Sequence, residues 1–292
     1  MGANISGGLP EFDRNGEEGY SRKPRLVDLP ENCVALIMMR LDPPEICLLA
    51  CLSSVFRRAS SADFIWESKL PSNYRIIARK VFDEITLKKL TKKDLYAKLS
   101  LPNLFDGGTK ELWIDKNTGR LCLSFSSKAL RITRIDDRRY WSRIPTDESR
   151  FQSVAYVQQV WWFEVGGEFK IQFPCGTYSL FFRIQLGKTS KRLGRRRICN
   201  SEHIHGWDIK PVRFQLATSD NQRAVSLCYL DNNPGNWSHY HVGDFKVENP
   251  DIETGIKFSM TQIDCTHTKG GLCVDSVFIL PKESAEEVIR SK

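Results

Sequence analysis

Cys199, His203 and His205 sit close together and are residue types that ligate zinc. A structural zinc site needs a fourth ligand and a tighter pairing than this, and Cys265, His267 and Cys273 meet that demand no better. Neither cluster is assigned a metal, and no cofactor is expected. The run KTSKRLGRRR at 188–197 carries six cations. It reads as a strand-connecting loop in solvent, the alternative being a nuclear localisation or polyanion-binding patch, and nucleic acid is not expected as a partner. At the chain start, Met1-Gly2-Ala3-Asn4-Ile5-Ser6 satisfies the N-myristoylation pattern at Gly2. One acyl chain gives weak, reversible membrane contact, to which Arg14, Arg22, Lys23 and Arg25 would add electrostatic attraction. No Gly-x-Ser-x-Gly elbow, phosphate-cradling loop or His-Glu-x-x-His helix occurs, so a non-catalytic protein is expected.

These residues need a scaffold, and 292 residues exceed one ordinary core of roughly 100–200 residues. Hydrophobic residues at 41%, aromatic at 11% and charged at 27% exclude a disordered composition. Apolar runs such as 34–39 fall short of the roughly 20 residues a membrane span needs. The polar, Gly-rich start does not read as a secretory signal. Nine cysteines, scattered and without a C-x-x-C pair, read as reduced thiols rather than a disulfide framework. Cytoplasm and nucleus are the expected compartments. The net charge of +8 permits acidic partners without naming one.

Helical periodicity opens the chain after a flexible segment at 1–24. Val34, Ile37, Met38 and Leu41 form one apolar stripe, and Leu48, Leu52, Val55 and Phe56 a second. Asp42-Pro43-Pro44-Glu45 reads as a cap, an early proline and a capping-box glutamate. A third short helix starts near Asp63. This unit, 25–71, is too small to bury its own apolar surface and calls for a partner. Helical pattern continues through a connector at 72–105, where Leu87, Leu90, Leu95 and Leu99 alternate with lysines expected to form a wet face. After Pro102, Gly107 and Gly108 the period changes to two. ELWID and RLCLSF flank a hairpin turn at Lys116-Asn117-Thr118-Gly119. Tyr178 to Leu186, Val212 to Leu216, Val225 to Tyr229 and Ile256 to Met260 alternate as strands, with Phe181 breaking the polar face of its own. The fold class is therefore a small all-α domain followed by an all-β sandwich of jelly-roll type at 106–285. Residues 286–292 form a tail, and the closing KESAEEVIRSK, 282–292, reads as a frayed helix.

Residues 26–70 resemble an F-box, on Leu29-Pro30-Glu31, Ile37, Leu41, Pro44, Val55, Arg57-Arg58 and Trp66. Phe56 stands where that family usually has cysteine, and Ala59 where tryptophan is common. The remainder resembles the phloem-protein-2, or Nictaba-like, lectin domain. That resemblance rests on PNLFDGGTKELWIDKNTGRLCLSFSSKALRITRIDDRRYW, HGWDIKPVRFQLATSD, WSHYHVGDF and the closing strand before Pro281. Together they resemble a plant F-box protein of the phloem-protein-2 type. The resemblance implies a non-catalytic substrate-recognition subunit of a Skp–cullin–F-box ubiquitin ligase, docked to a Skp-type adaptor and through it to a cullin. Leu29, Pro30, Ile37, Leu41, Pro44, Val55 and Trp66 would supply the adaptor contacts. The alternative is a carbohydrate-binding lectin that works independently of ubiquitination.

The resemblance also implies a site for N-acetylglucosamine-containing glycans or glycoproteins. An aromatic ring lying flat on the apolar face of a sugar buries area at little entropic cost. Trp141 fits that role, with Tyr140 and Arg134 beside it. Sugar-binding relatives carry two tryptophans in this loop, and here Arg134 follows Ile132-Thr133 in place of the first. A guanidinium forks onto carboxylate or phosphate and offers a sugar less apolar area. Arg134, Asp136, Asp137, Arg138 and Arg139 point to an acidic or protein ligand, or else pair with one another in solvent. Trp113, Trp161, Trp162, Trp207 and Trp237 are assigned mostly to the core.

Overall fold

The computed structural model describes residues 26–191, 197–200, 203–230 and 234–290. Gly2 and positions 192–196 lie outside them, as does the Cys199 side chain. A helical turn at Leu26–Asp28 leads into α1 (Glu31–Met38), α2 (Pro43–Leu52), α3 (Ser54–Ala59), α4 (Asp63–Glu67), α5 (Tyr74–Arg79), α6 (Glu84–Lys89) and α7 (Lys92–Leu99). The Asp42 amide donates to Glu45 Oε2 at 3.0 Å, closing the capping box of α2. The Phe56 amide donates to Ser53 Oγ at 3.2 Å and starts α3. Val34, Met38, Ile46, Phe56 and Ile65 are buried as the core of this unit.

The connector lysines are not simply a wet face. Lys93 Nζ lies 5.6 Å over the Trp66 ring, and Lys92 Nζ donates to Tyr74 Oη at 2.7 Å. Their methylenes cover aromatic surface while the charges stay at the rim. Trp66 itself is buried against Tyr96, with ring centroids 5.2 Å apart, and its indole donates to Ser60 O at 2.6 Å. Thus α7 closes the side of the first four helices that a lone unit would leave open. Asn73 Nδ2 donates to Gln172 O at 2.8 Å, tying the helices to the β domain.

The strands are β1 (Asn103–Phe105), β2 (Lys110–Ile114), β3 (Leu121–Ser126), β4 (Arg131–Ile132), β5 (Trp141–Pro145), β6 (Ser153–Val157), β7 (Phe163–Ile171), β8 (Gly176–Leu186), β9 (Lys188–Lys191), β10 (Arg197–Asn200), β11 (Val212–Thr218), β12 (Arg223–Cys228), β13 (Trp237–Val247), β14 (Thr254–Gln262) and β15 (Leu272–Pro281), followed by α8 (Lys282–Arg290). In the first sheet β13 pairs with β8 and β8 with β15, whose far edge is shared by β3-β2-β1 and β6-β5. The second sheet runs β12-β11-β14-β7-β4. The sheets face each other: Phe125 of the first meets Phe169 and Phe258 of the second at 4.4 and 6.3 Å. The turn 115–119 forms as expected, with Asp115 Oδ2 accepting from the Thr118 amide and hydroxyl and Gly119 at φ +66°. Residues 188–191 of the basic run pair with 197–200 as β9 and β10, and the loop expected between them falls on 192–196, outside the described residues.

Two departures from simple alternation have physical causes. Phe181 faces outward yet is buried, because α8 lies over that face and seats Ala285 beside Phe181 and Leu280. The C-terminal segment is therefore a docked helix rather than a frayed tail, held by Arg120–Glu283 at 2.8 Å and Lys282–Asp244 at 2.8 Å. Val225, Leu227 and Tyr229 point outward, more than half exposed, and β12 turns Ala224 inward instead. Gly243 permits that close approach, since a Cβ there would strike Ala224.

Candidate functional site

The F-box-like helices leave several apolar side chains open to solvent. Leu29 and Pro30 are exposed before α1, Leu36 and Ile37 are exposed on it, and Pro44, Leu48 and Leu52 line α2 at i, i+4 spacing. Leu48 and Leu52, of the second apolar stripe, are 69% and 73% exposed. Of the expected adaptor residues, Leu29, Pro30, Ile37 and Pro44 are exposed, while Leu41 and Val55 are half-buried against the core. Trp66 is corrected: at 3% exposure it holds α4 to α7 and is out of a partner's reach. Its place in the motif carries no information about which way the ring points.

A second site lies where the 133–140 loop meets the start of β7. Pairing of Arg131 with Gly166 and Ile132 with Val165 anchors β4, after which Arg134 turns the chain at φ +62°. The Asp137 amide donates to Arg134 O, and the Tyr140 and Trp141 amides to Asp137 O. Trp141 begins β5 on its inward side. It is 2% exposed, stacks on Phe163 at 6.1 Å, and donates from its indole to Thr133 O at 3.1 Å. Trp141 is therefore the rivet of the loop and has no free face for a sugar, which corrects the expectation that it is the stacking platform.

The exposed indoles come from elsewhere. Trp161 and Trp162, assigned to the core from sequence, are 52% and 47% exposed just before β7, where alternation has not yet begun. With Thr133, Arg134, Tyr140, Val160 and Cys265 they line a cavity of about 460 Å³. Two guanidiniums approach the Tyr140 ring, Arg134 at 5.2 Å and Arg139 at 5.4 Å, and Arg134 Nη1 also donates to its hydroxyl at 3.2 Å. Trp162 Nε1 donates to Glu164 Oε2 at 3.1 Å. Val160 and Lys269 exchange backbone hydrogen bonds at 2.8 Å, fixing the peptide that carries the indoles. Asp137 takes Arg139 in a two-oxygen clasp, which lowers its pKa to about 2. Part of the loop's charge is thus spent internally. Arg134 has no carboxylate within ion-pair distance among the described residues. An aromatic pair beside a guanidinium can hold an apolar ring face together with a polar or anionic substituent.

Among the described residues no three His, Cys, Asp or Glu side chains converge, and the Cys199 side chain of the first weighed cluster lies outside them. His205 Nδ1 lies 3.0 Å from His203 O, and His267 Nε2 lies 2.9 Å from Gly206 O, so both rings serve loop packing. No described helix is long and apolar enough to cross a membrane.

Comparison with known proteins matches both halves of the chain. The F-box domain model matches residues 26–68 and the Phloem protein 2 model residues 120–281. F-box protein PP2-A13 of Arabidopsis thaliana is 87% identical over 292 residues, covering all of both chains. F-box protein PP2-A11 of the same plant is 53% identical over 98% of this chain and 100% of its own. Among solved structures, the family 35 carbohydrate binding module from Clostridium thermocellum is 6% identical, covers 53% of this chain and 96% of its own, and superposes with a TM-score of 0.31. By its two matched domains and its full-length relatives, the chain belongs to the plant F-box proteins of the phloem protein 2 type.

Proposed function

We propose that the chain is the non-catalytic substrate-recognition subunit of a Skp–cullin–F-box ubiquitin ligase. The observation that carries this reading is the exposure of the apolar side chains Leu36, Ile37, Leu48 and Leu52 inside the segment matched as an F-box. Leucines of that exposure cost little to hide and stabilise an interface when a Skp-type adaptor covers them. Through the adaptor the chain reaches a cullin, and its β domain, a jelly-roll sandwich on this reading, selects the protein to be ubiquitinated in cytoplasm or nucleus. Gly2 acylation would add weak, reversible membrane contact. Copurification of the full chain with a Skp-type adaptor tests the docking: Leu48→Glu with Leu52→Glu abolishes it, and unchanged copurification refutes it.

The selecting end, on the same reading, is the Trp161, Trp162, Tyr140 and Arg134 cavity, and its ligand is a glycosylated protein carrying N-acetylglucosamine. The paired exposed indoles support a stacked ring, and Arg134 supports a polar or anionic group beside it. Binding of the full chain to a glycan panel, lost in Trp162→Ala, is the expected result. Binding retained in Trp162→Ala and in Trp161→Ala removes the cavity from the reading.

A further inference from the structure

The outer face of the first sheet carries a different cavity, of about 350 Å³, between the 146–152 loop and α8. Its floor is shaped by a bulge. Strands β15 and β8 pair Val274 with Ile184 and then Ser276 with Arg183, so Asp275 is an extra residue on β15. A bulge re-aims a side chain, and here it turns Asp275 into the cavity beside Arg183. Asp275 is 2% exposed. Its Oδ2 accepts from Arg183 Nη1 at 2.6 Å and from Ser276 Oγ at 2.9 Å, whereas its buried Oδ1 has no hydrogen-bond partner among the described residues.

A second buried carboxylate repeats the pattern. Glu111 is 6% exposed and stands opposite Ser124 of the cavity wall. Its Oε2 likewise lacks a hydrogen-bond partner among the described residues. The nearest cation is Arg150, whose Nη1 stops at 3.7 Å while its guanidinium lies 5.4 Å over the Trp113 ring. Burial raises the Glu111 pKa above the ordinary carboxyl value, and Arg150 offsets only part of that rise. Arg150 is 61% exposed on its loop, so it is a loosely held resident.

Asp275 of the lining and Glu111 beside it each keep one buried carboxylate oxygen without a donor among the described residues, while Glu148 accepts from Trp237 Nε1 at 2.7 Å. Buried carboxylate oxygens without donors are costly, and a planar guanidinium supplies several donors in one plane together with a face for an indole. Arg150 already shows that geometry in part. We infer that this cavity receives an arginine side chain presented by a partner protein, held by Glu111, Asp275 and the Trp113 ring. On the receptor reading, on which its biological use rests, the incoming arginine belongs to the target and displaces Arg150.

The test uses the full chain, isotope-labelled at tryptophan, with the Trp113 indole signal assigned through Trp113→Phe. Titration with acetyl-Gly-Arg-Gly-amide shifts that signal saturably, and the citrulline peptide, equal in shape but uncharged, binds at least about tenfold more weakly. Glu111→Gln weakens the arginine peptide about tenfold. Arg150→Ala, which removes the resident guanidinium, tightens it. No saturable shift, equal binding by citrulline, weaker binding in Arg150→Ala, or a shift only with N-acetylglucosamine oligomers overturns the inference. Adaptor copurification on the same samples keeps the two readings apart. Lost arginine binding with intact adaptor binding refutes the cavity alone, and the reverse refutes the receptor reading alone.

Discussion

Lys269, with no solvent exposure, donates from Nζ to the carbonyl oxygen of Trp161 at 2.7 Å. The same ammonium meets His267 O at 3.3 Å and Asp264 Oδ1 at 3.5 Å, so a buried charge has two carbonyl acceptors and a counter-ion. A buried lysine persists only when satisfied in this way. Its effect is to hold the peptide from which both exposed indoles project. Lys269→Met keeps the length and removes the donors, leaving Trp161 O unpaired. We expect a loss of about 1–3 kcal/mol, as for an orphaned buried polar group, read by thermal unfolding. Acrylamide quenching of tryptophan emission should rise as the Trp161–Trp162 peptide loosens.

Trp141 and Trp162 should separate cleanly. Trp141→Ala opens a cavity beside Phe163 and strips Thr133 O of its donor, a loss of about 3–5 kcal/mol. Trp162→Ala removes a half-exposed ring and should move stability by under about 1 kcal/mol. Chemical denaturation of both variants checks this. Equal losses would mean that Trp162 is packed as core.

The F-box helices give the same kind of contrast. Leu48→Ala and Leu52→Ala sit on solvent and should change the stability of the free chain by within about 0.5 kcal/mol. Trp66→Ala should cost about 3–5 kcal/mol, because it empties the contact with Tyr96 and strands Ser60 O. Thermal scans of the free chain, with adaptor copurification alongside, distinguish a docking residue from a structural one.

Why some of this was legible and some not follows from what each kind of signal encodes. Asp42 and Glu45, or Asp115 and Gly119, are local devices, and local sequence specifies them fully. Periodicity placed the strands but not the layers covering them. Phe181 reads as an error on a polar face until α8 is known to lie over it, and Val225 to Tyr229 read as core until β12 is seen to turn Ala224 inward. The motifs carried which residues recur, not which way rings point, hence the exchange of roles between Trp141 and the Trp161–Trp162 pair. Two adjacent tryptophans at a strand start were the available signal: alternation cannot bury both. The bulge at Asp275 had no sequence signature, since it exists only relative to the register of β8.

The Asp137–Arg139 clasp predicts a specific acid limit for the 133–140 loop. Arg139 donates to Asp137 from Nε at 3.0 Å, from Nη2 at 2.7 Å and from its backbone amide at 3.0 Å. These bonds favour the ionised form and bring the carboxyl to a pKa of about 2, against about 3.9 for a free aspartate. A group whose folded pKa is depressed supports the fold above its unfolded value and loses that support as pH falls through the folded one. The clasp should therefore be whole above about pH 4 and open as pH approaches about 2. Glu111 works in the opposite sense. Its pKa is raised, chiefly by burial, so its contribution is complete below the free glutamate value and fades as pH rises through the raised one. Carboxyl-carbon titration by NMR should give Asp137 a midpoint near 2, and Arg139→Ala should return it toward about 3.9. A midpoint in the natural chain already at the free value would show that the clasp does not form in solution, and with it that both Arg134 and Arg139 are free for an anionic ligand.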